Sequence, residues 1–244
     1  MLGRDGFVVF DRDARVAAWA GTVLPVAMGI ASDPAARARH LRHGGTWFSG
    51  VDALPNGPRG EIAGVPLGGP WQGHVPDLPM HAGQLSIIYP GYPRQDADQS
   101  DASHRYRIIR SAAHVDGLLP EGPARRRFAR EFHAYILGVP LNAVDAAPTV
   151  VWPGSHRIMQ EALSAAIGDQ PVRDVDVTDA YHAARRVAFE TCAPVAIRTA
   201  PGQSFLIHRF ALHGMEPWQG RVGPGRMIAF FRPEFADPED WLAA

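Results

Sequence analysis

Residues 195–231 hold three short apolar runs: Val195-Ala196-Ile197-Arg198-Thr199, Ser204-Phe205-Leu206-Ile207-His208 and Met227-Ile228-Ala229-Phe230-Phe231. Pro201-Gly202 and the Gly/Pro-rich stretch 214–225 separate them. Each run is strand length, rich in β-branched and aromatic residues, and bounded by turn formers. The pattern extends toward the N-terminus. Phe7-Val8-Val9-Phe10 reads as a strand before the turn Asp11-Arg12-Asp13. Residues 84–89 read as a strand stopped by Pro90-Gly91, and further strands are expected over 106–116, 131–137 and 149–152, with a loop over 118–123. Three helices are expected. The first runs from the Asp33-Pro34 cap through Arg42 to Gly44-Gly45, the second spans 156–167 and ends at Gly168, and the third spans 178–191 with Thr178 as its cap. Strand and helix do not alternate, so a doubly wound sheet is excluded. Many short strands with a few helices predict a mainly β protein with peripheral helices, a sandwich or jelly roll.

Composition limits the function classes. The 244 residues carry 24 basic and 25 acidic side chains, a formal net charge of -1, which leaves no electrostatic footprint for nucleic acid or an anionic membrane. Charged residues are 20% and apolar ones 46%, which predicts a packed core. Cys192 stands alone, so no internal disulfide framework is possible and no oxidising compartment is required. Residues 1–10 lack the long apolar run of a signal peptide, and no stretch of about 18 apolar residues is apparent. The expectation is one domain over 1–244, cytoplasmic, acting on a small molecule rather than on a nucleic acid or a membrane.

The chemistry is expected from His114-Val115-Asp116. Side chains two apart on an extended segment share a face, so His114 and Asp116 can hold one metal ion. A histidine from a distant strand would complete a facial triad with three open metal positions, the arrangement of non-haem Fe(II) oxygenases. His208 and His213 compete for that place. His213, at the end of an apolar strand beside Gly214, is the better positioned. Arg226 opens an apolar strand 13 residues after His213. A guanidinium there is costly unless an anion meets it, and its planar fork suits a carboxylate. Arg221, expected in a solvated loop, and Arg232, expected to pair with Glu234, are its rivals.

His114-Val115-Asp116, Val150-Val151-Trp152-Pro153-Gly154-Ser155-His156-Arg157, Leu212-His213-Gly214 and the Arg226-led strand, taken in that order, resemble the phytanoyl-CoA dioxygenase-like family. The resemblance covers 84–232. It implies a double-stranded β-helix (jelly roll, cupin-like) with His114, Asp116 and His213 as Fe(II) ligands, 2-oxoglutarate as cosubstrate and O2 as oxidant. It also implies that Arg226 grips the distal carboxylate of 2-oxoglutarate, and it points to Gln84 and Tyr89, on the strand ahead of the motif, as further cosubstrate contacts. Asp116 favours hydroxylation over halogenation, since related halogenases carry a small residue there. Met215 departs from the family, where many members have a hydroxyl-bearing residue, and so does Ile136, where some have an aromatic one. His156 is expected at a helix start, Trp152 in the core, and Arg125-Arg126-Arg127 on a solvated face. The implied activity is oxidation of a C–H bond in a small organic metabolite. Specificity is expected from loops 46–80 and 93–103. A cupin-like metalloenzyme without 2-oxoglutarate and a non-catalytic jelly-roll binding protein are the alternatives.

Overall fold

The computed structural model describes residues 2–220 and 222–243, so Arg221 lies outside it. In chain order the elements are α1 (Leu2–Asp5), β1 (Phe7–Phe10), α2 (Ala14–Ser32), α3 (Pro34–His40), β2 (Leu41–Arg42), β3 (Trp47–Gly50), β4 (Gln84–Ile88), α4 (Asp101–Ile109), β5 (Leu118–Glu121), β6 (Arg126–Ala129), β7 (Tyr135–Pro140), β8 (Thr149–Val151), α5 (Ser155–Ile167), α6 (Thr178–Thr191), β9 (Val195–Ile197), β10 (Ser204–His208), β11 (His213–Met215) and β12 (Arg226–Phe231), with short 3-10 turns between some of them. The strands form a seven-stranded sheet in the order β1-β10-β7-β12-β4-β3-β2, a three-stranded sheet β11-β8-β9 and a hairpin β5-β6. Every strand pair is antiparallel. The fold is mainly β with peripheral helices, a jelly roll.

Period-two alternation assigns the faces of the large sheet. Leu85, Ile87, Leu137, Val139, Ala229 and Phe231 point outward and pack under α2 and its surroundings. Ile136, Ile228 and Phe230 point inward, where they meet Val151, Ile197, Phe205 and Ile207 between the sheets. Gly138 on β7 belongs to this inner layer. A Cβ there would stand 2.1 Å from the Phe205 ring, so glycine is required for close approach rather than for backbone freedom. The small sheet is covered by α5 and α6, whose Met159, Leu163, Tyr181 and Ala188 bury against Val150, Trp152 and Leu212.

Two parts of the chain differ from the sequence expectation. Residues 14–32 form a helix that the sequence reading did not mark. Gly21, Pro25 and Gly29 are poor helix formers, yet the Asp13 carboxylate caps the helix by accepting from the Arg15 N–H at 2.8 Å. This helix is long and apolar enough to cross a membrane, which corrects the count of no such stretch. In the fold, Val16, Trp19, Ala20, Val23 and Ala27 bury at helical spacing against the sheet, and the Trp19 indole N–H donates to the Gly60 carbonyl at 2.8 Å. The expected strand 106–116 is instead the end of α4 followed by a turn. Ser100 caps α4 by accepting from Ser103 N–H, and Ile108 and Ile109, which imitated a strand, are exposed. Ser111 and Ala112 turn the chain with φ near +50°, and His114 then joins the small sheet through a single bridge to His213. Residues 118–121, read as loop, form one strand of the β5-β6 hairpin.

Candidate metal centre

Two chain segments meet at the edge of the small sheet. The His114 N–H donates to the His213 carbonyl at 2.9 Å, and the His213 N–H returns the bond at 3.1 Å. This antiparallel pairing brings the two imidazoles together, tilted 46° to one another, with ring centroids 4.7 Å apart. Gly214 makes the approach possible, since a Cβ there would lie 2.2 Å from the Ser111 carbonyl oxygen. Asp116, two residues beyond His114, returns to the same side despite the loss of regular strand. Its Oδ1 stands 3.0 Å from His114 Nε2 and its Oδ2 3.6 Å from His213 Nε2. One donor atom from each of the three residues falls within 4.8 Å of the others, and no other such group of three occurs among the described residues.

The tautomers follow from the partners. His114 Nδ1 lies 2.9 Å from the Ala112 carbonyl and His213 Nδ1 lies 3.0 Å from the Ala211 carbonyl. A carbonyl only accepts, so each Nδ1 carries a proton, and Nε2, on the side of Asp116, is the ring nitrogen left for a metal. His213 Nε2 is buried and has no hydrogen-bond partner. Two Nε2 atoms and a carboxylate therefore converge on one point, a donor set that suits a cation and that the backbone carbonyls hold in orientation.

Asp116 is braced from the opposite side. Arg232 Nε donates to its Oδ2 at 2.6 Å and Arg232 Nη1 to Gln84 Oε1 at 2.7 Å. Burial alone would push the Asp116 carboxyl up, but the Arg232 guanidinium beside it holds it well below the usual carboxylate range. Arg232 thus pairs with Asp116 and not with Glu234 as expected. Glu234 instead lies 3.9 Å from His133. Alternation along β12 explains the outcome, because Arg226, Ile228, Phe230 and Arg232 share one face.

A cavity of about 690 Å³ opens over the three residues, with Gln84, Ser86, Thr149 and Met215 in its wall. Arg226 stands just behind that wall. It is 5% exposed, and its Nη2 donates to Thr149 Oγ1 at 2.7 Å while Nη1 meets Met215 Sδ at 3.6 Å. Among the described residues it has no carboxylate partner within salt-bridge distance. Burial pushes its guanidinium down to about 9, and the distant Asp145 opposes only weakly.

The other expected positions fall as follows. Gln84 lines the cavity. Tyr89 does not. It shares the outward face of Leu85 and Ile87, packs against the outer core and faces Arg37. Alternation from Gln84 contains the reason, since residues 84 and 89 differ by an odd number. His208 is turned away beside His156, where burial and Arg209 lower it to about 3, and its Nδ1 accepts the Phe210 N–H. His156 sits at the start of α5 against the Gly3 carbonyl, and Trp152 is core. Arg126 is tied to Asp176 and to Asp179, the latter at 3.1 Å, and the Arg127 N–H donates to Thr178 Oγ1 at 2.6 Å, so these arginines fasten β6 to α6. Sequence reasoning missed Thr149, which opens the 149–152 run and meets Arg226, and Arg107, which sits in the unmarked helix α4.

No protein-family profile matches the sequence, and no curated protein matches it. Solved structures do resemble the fold. EctD from S. alaskensis, with 2-oxoglutarate and 5-hydroxyectoine, superimposes with a TM-score of 0.51 at 18% identity, covering 97% of this chain and 74% of its own. The non-heme alpha ketoglutarate dependent carbocyclase SnoK from nogalamycin biosynthesis gives 0.52 at 14% identity, with 95% and 81% covered. The epimerase SnoN in complex with Fe3+, alpha ketoglutarate and nogalamycin RO gives 0.52 at 15% identity, with 95% and 80% covered. At these identities the likeness shows a shared fold.

Proposed function

We propose that this chain is a non-haem iron(II), 2-oxoglutarate-dependent oxygenase of a small organic metabolite, built as one oxygenase domain over 1–244. The observation that carries the reading is the convergence of His114 Nε2, His213 Nε2 and the Asp116 carboxylate, with both Nδ1 atoms committed to backbone carbonyls. Two imidazoles and one carboxylate form the donor set that suits Fe(II) and leaves room for exogenous ligands. The fold neighbours EctD and SnoN, whose structures hold 2-oxoglutarate or alpha ketoglutarate, support the same choice. Kinship with the phytanoyl-CoA dioxygenase-like branch rests on the His-x-Asp, Pro-Gly-Ser-His and Leu-His-Gly order and names no substrate.

His114, Asp116 and His213 would hold the iron, which with 2-oxoglutarate supplies O2 activation and leaves succinate and CO2. The protein's own residues do the rest. Arg232 keeps the second Asp116 oxygen engaged, so the carboxylate offers one atom to the site. Ala112 and Ala211 carbonyls fix the two rings against rotation. Arg226 and the Thr149 hydroxyl would receive the distal carboxylate of the cosubstrate beside Met215, and Ile136 and Phe230 make that wall apolar. The intact Asp116 supports hydroxylation or a related oxidation over halogenation.

The test is conversion of 2-oxoglutarate to succinate with Fe(II), stimulated by a metabolite screen. His114→Ala is expected to abolish it, and turnover equal to wild type would sink the proposal. A cupin-like enzyme without cosubstrate would bind no 2-oxoglutarate, and Arg226→Ala would leave it unchanged.

A further inference from the structure

The cavity contains a second arginine that the reading above does not use. Arg107 lies in the last turn of α4 and lines the same cavity as His114, Asp116 and His213. Its Nη1 donates to the Tyr92 hydroxyl at 2.9 Å, and its guanidinium lies 5.8 Å from the centre of the Trp47 ring. Both supports are themselves fixed. Tyr92 is 3% exposed, and the Trp47 indole N–H donates to Ser86 Oγ at 3.0 Å. Arg107 Nε is shielded from solvent and donates to nothing.

No carboxylate answers this charge. Among the described residues Arg107 makes no ion pair. The titratable groups facing it are His43 and Tyr92. The nearby Asp96 is occupied by the backbone N–H groups of His43 and Gly44. Arg232, the other arginine in the wall, is spent on Asp116 and Gln84. The other acids of the cavity, Asp52, Glu131 and Glu234, form no ion pair with Arg107. A half-buried, pre-oriented guanidinium with free donors facing a cavity is a receptor for an anion, and its planar fork matches the oxygens of a carboxylate or a phosphate.

We propose that Arg107, held by Tyr92 and Trp47, binds an anionic group of the substrate, so that the oxidised molecule is an organic acid or a phosphate ester. This rests on the oxygenase reading for the identity of the site, but not for the anion preference itself. The anchored acid lies at the α4 end of the cavity, and the remainder of the molecule extends toward the metal ligands.

Calorimetry on the metal-loaded protein with 2-oxoglutarate, kept anaerobic at low ionic strength, tests this with three matched probes: phenylacetate, phenyl phosphate and phenylacetamide. Wild type is expected to bind one of the two anions at least tenfold more tightly than the amide, and which anion is preferred separates the acid from the phosphate ester. Arg107→Gln is expected to lose the preference, and Arg107→Lys to keep part of it. The affinity for 2-oxoglutarate is expected to stay within twofold of wild type in both variants. Equal or undetectable binding of all three probes by wild type would overturn the proposal, as would a preference that survives in Arg107→Gln. A parallel loss of 2-oxoglutarate affinity would also overturn it, by making Arg107 the cosubstrate anchor. Failure of wild type to bind 2-oxoglutarate at all would count against the oxygenase reading instead, while the anion preference is still read.

Discussion

Replacing Arg226 with methionine should move stability and cosubstrate affinity in opposite directions. The guanidinium is buried, its partners are a hydroxyl and a thioether, and burial lowers it from 12.5 to about 9. At about 1.4 kcal/mol for each tenfold change in proton affinity, the charged form is penalised by about 5 kcal/mol. Methionine fills much of the same volume without a charge and gives up only the bond to Thr149, worth about 1 kcal/mol. The protein without 2-oxoglutarate should therefore gain on the order of 1–3 kcal/mol, as when a poorly compensated buried ion is replaced by an apolar side chain. For a chain of this size that raises the Tm by roughly 2–4 °C per kcal/mol. The distal carboxylate of the cosubstrate, in contrast, would lose the guanidinium assigned to it, a loss of about 3–5 kcal/mol, or roughly 100- to 5,000-fold in Kd. Thermal unfolding without cosubstrate and anaerobic titration of the Fe(II) protein with 2-oxoglutarate read the two effects separately. A Tm that falls by several degrees, or a 2-oxoglutarate affinity within threefold of wild type, would refute the reasoning. The first would mean that Arg226 is a structural tie, the second that the carboxylate is held elsewhere.

Met215→Ser should free Arg226 Nη1 from the thioether and add a hydroxyl, strengthening 2-oxoglutarate binding by about 1 kcal/mol, roughly fivefold in a calorimetric titration; unchanged or weaker binding would show that Met215 does not obstruct the anchor. Gly214→Ala would place a Cβ 2.2 Å from the Ser111 carbonyl oxygen, driving apart the two segments that carry His114 and His213. Equilibrium dialysis against Co(II) should show at least tenfold weaker binding, with stability lower by about 1–3 kcal/mol from overpacking; native metal affinity in that variant would contradict the described approach. His43 and His133 are both buried, and burial holds each at about 4. A folded value below the ordinary 6.5 favours the neutral ring, so the stability they contribute is complete above that pH and lost as pH falls toward 4. Urea unfolding at pH 7.5 and 5.0 should differ by about 2 kcal/mol for each histidine, and a flat profile would mean that neither ring is kept neutral by the fold.

Much of the architecture was legible because burial leaves a period in the sequence. The strands β1, β4, β7, β8, β9, β10 and β12 and the helices α5 and α6 lie within a few residues of the expected bounds, each an apolar run or stripe bounded by a turn former. Helix α2 was not legible. Its alanines and glycines carry little pattern, and only docking of Trp19, Val23 and Ala27 against the sheet repays helix formation across Pro25. Around α4 the local signal misled. Tyr106, Ile108 and Ile109 resemble a strand, but the Ser100 cap and the absence of a pairing partner leave them on a solvated helix.

Within the site, the sequence by itself determined the residue types and the shared face of His114 and Asp116, because backbone alternation is a local property. It also contained the outward direction of Tyr89 and the common face of Arg226 and Arg232, although neither was drawn from it. Tertiary structure decided which charge meets which. Arg232 reaches Asp116 across 116 positions of chain, Arg226 is left with Thr149, and Arg107 is carried by a helix to the mouth of a cavity whose other walls come from distant strands. Pairings of that kind depend on distances across sheets and on which competing partner is desolvated, and neither quantity is written in the spacing of residues along a chain.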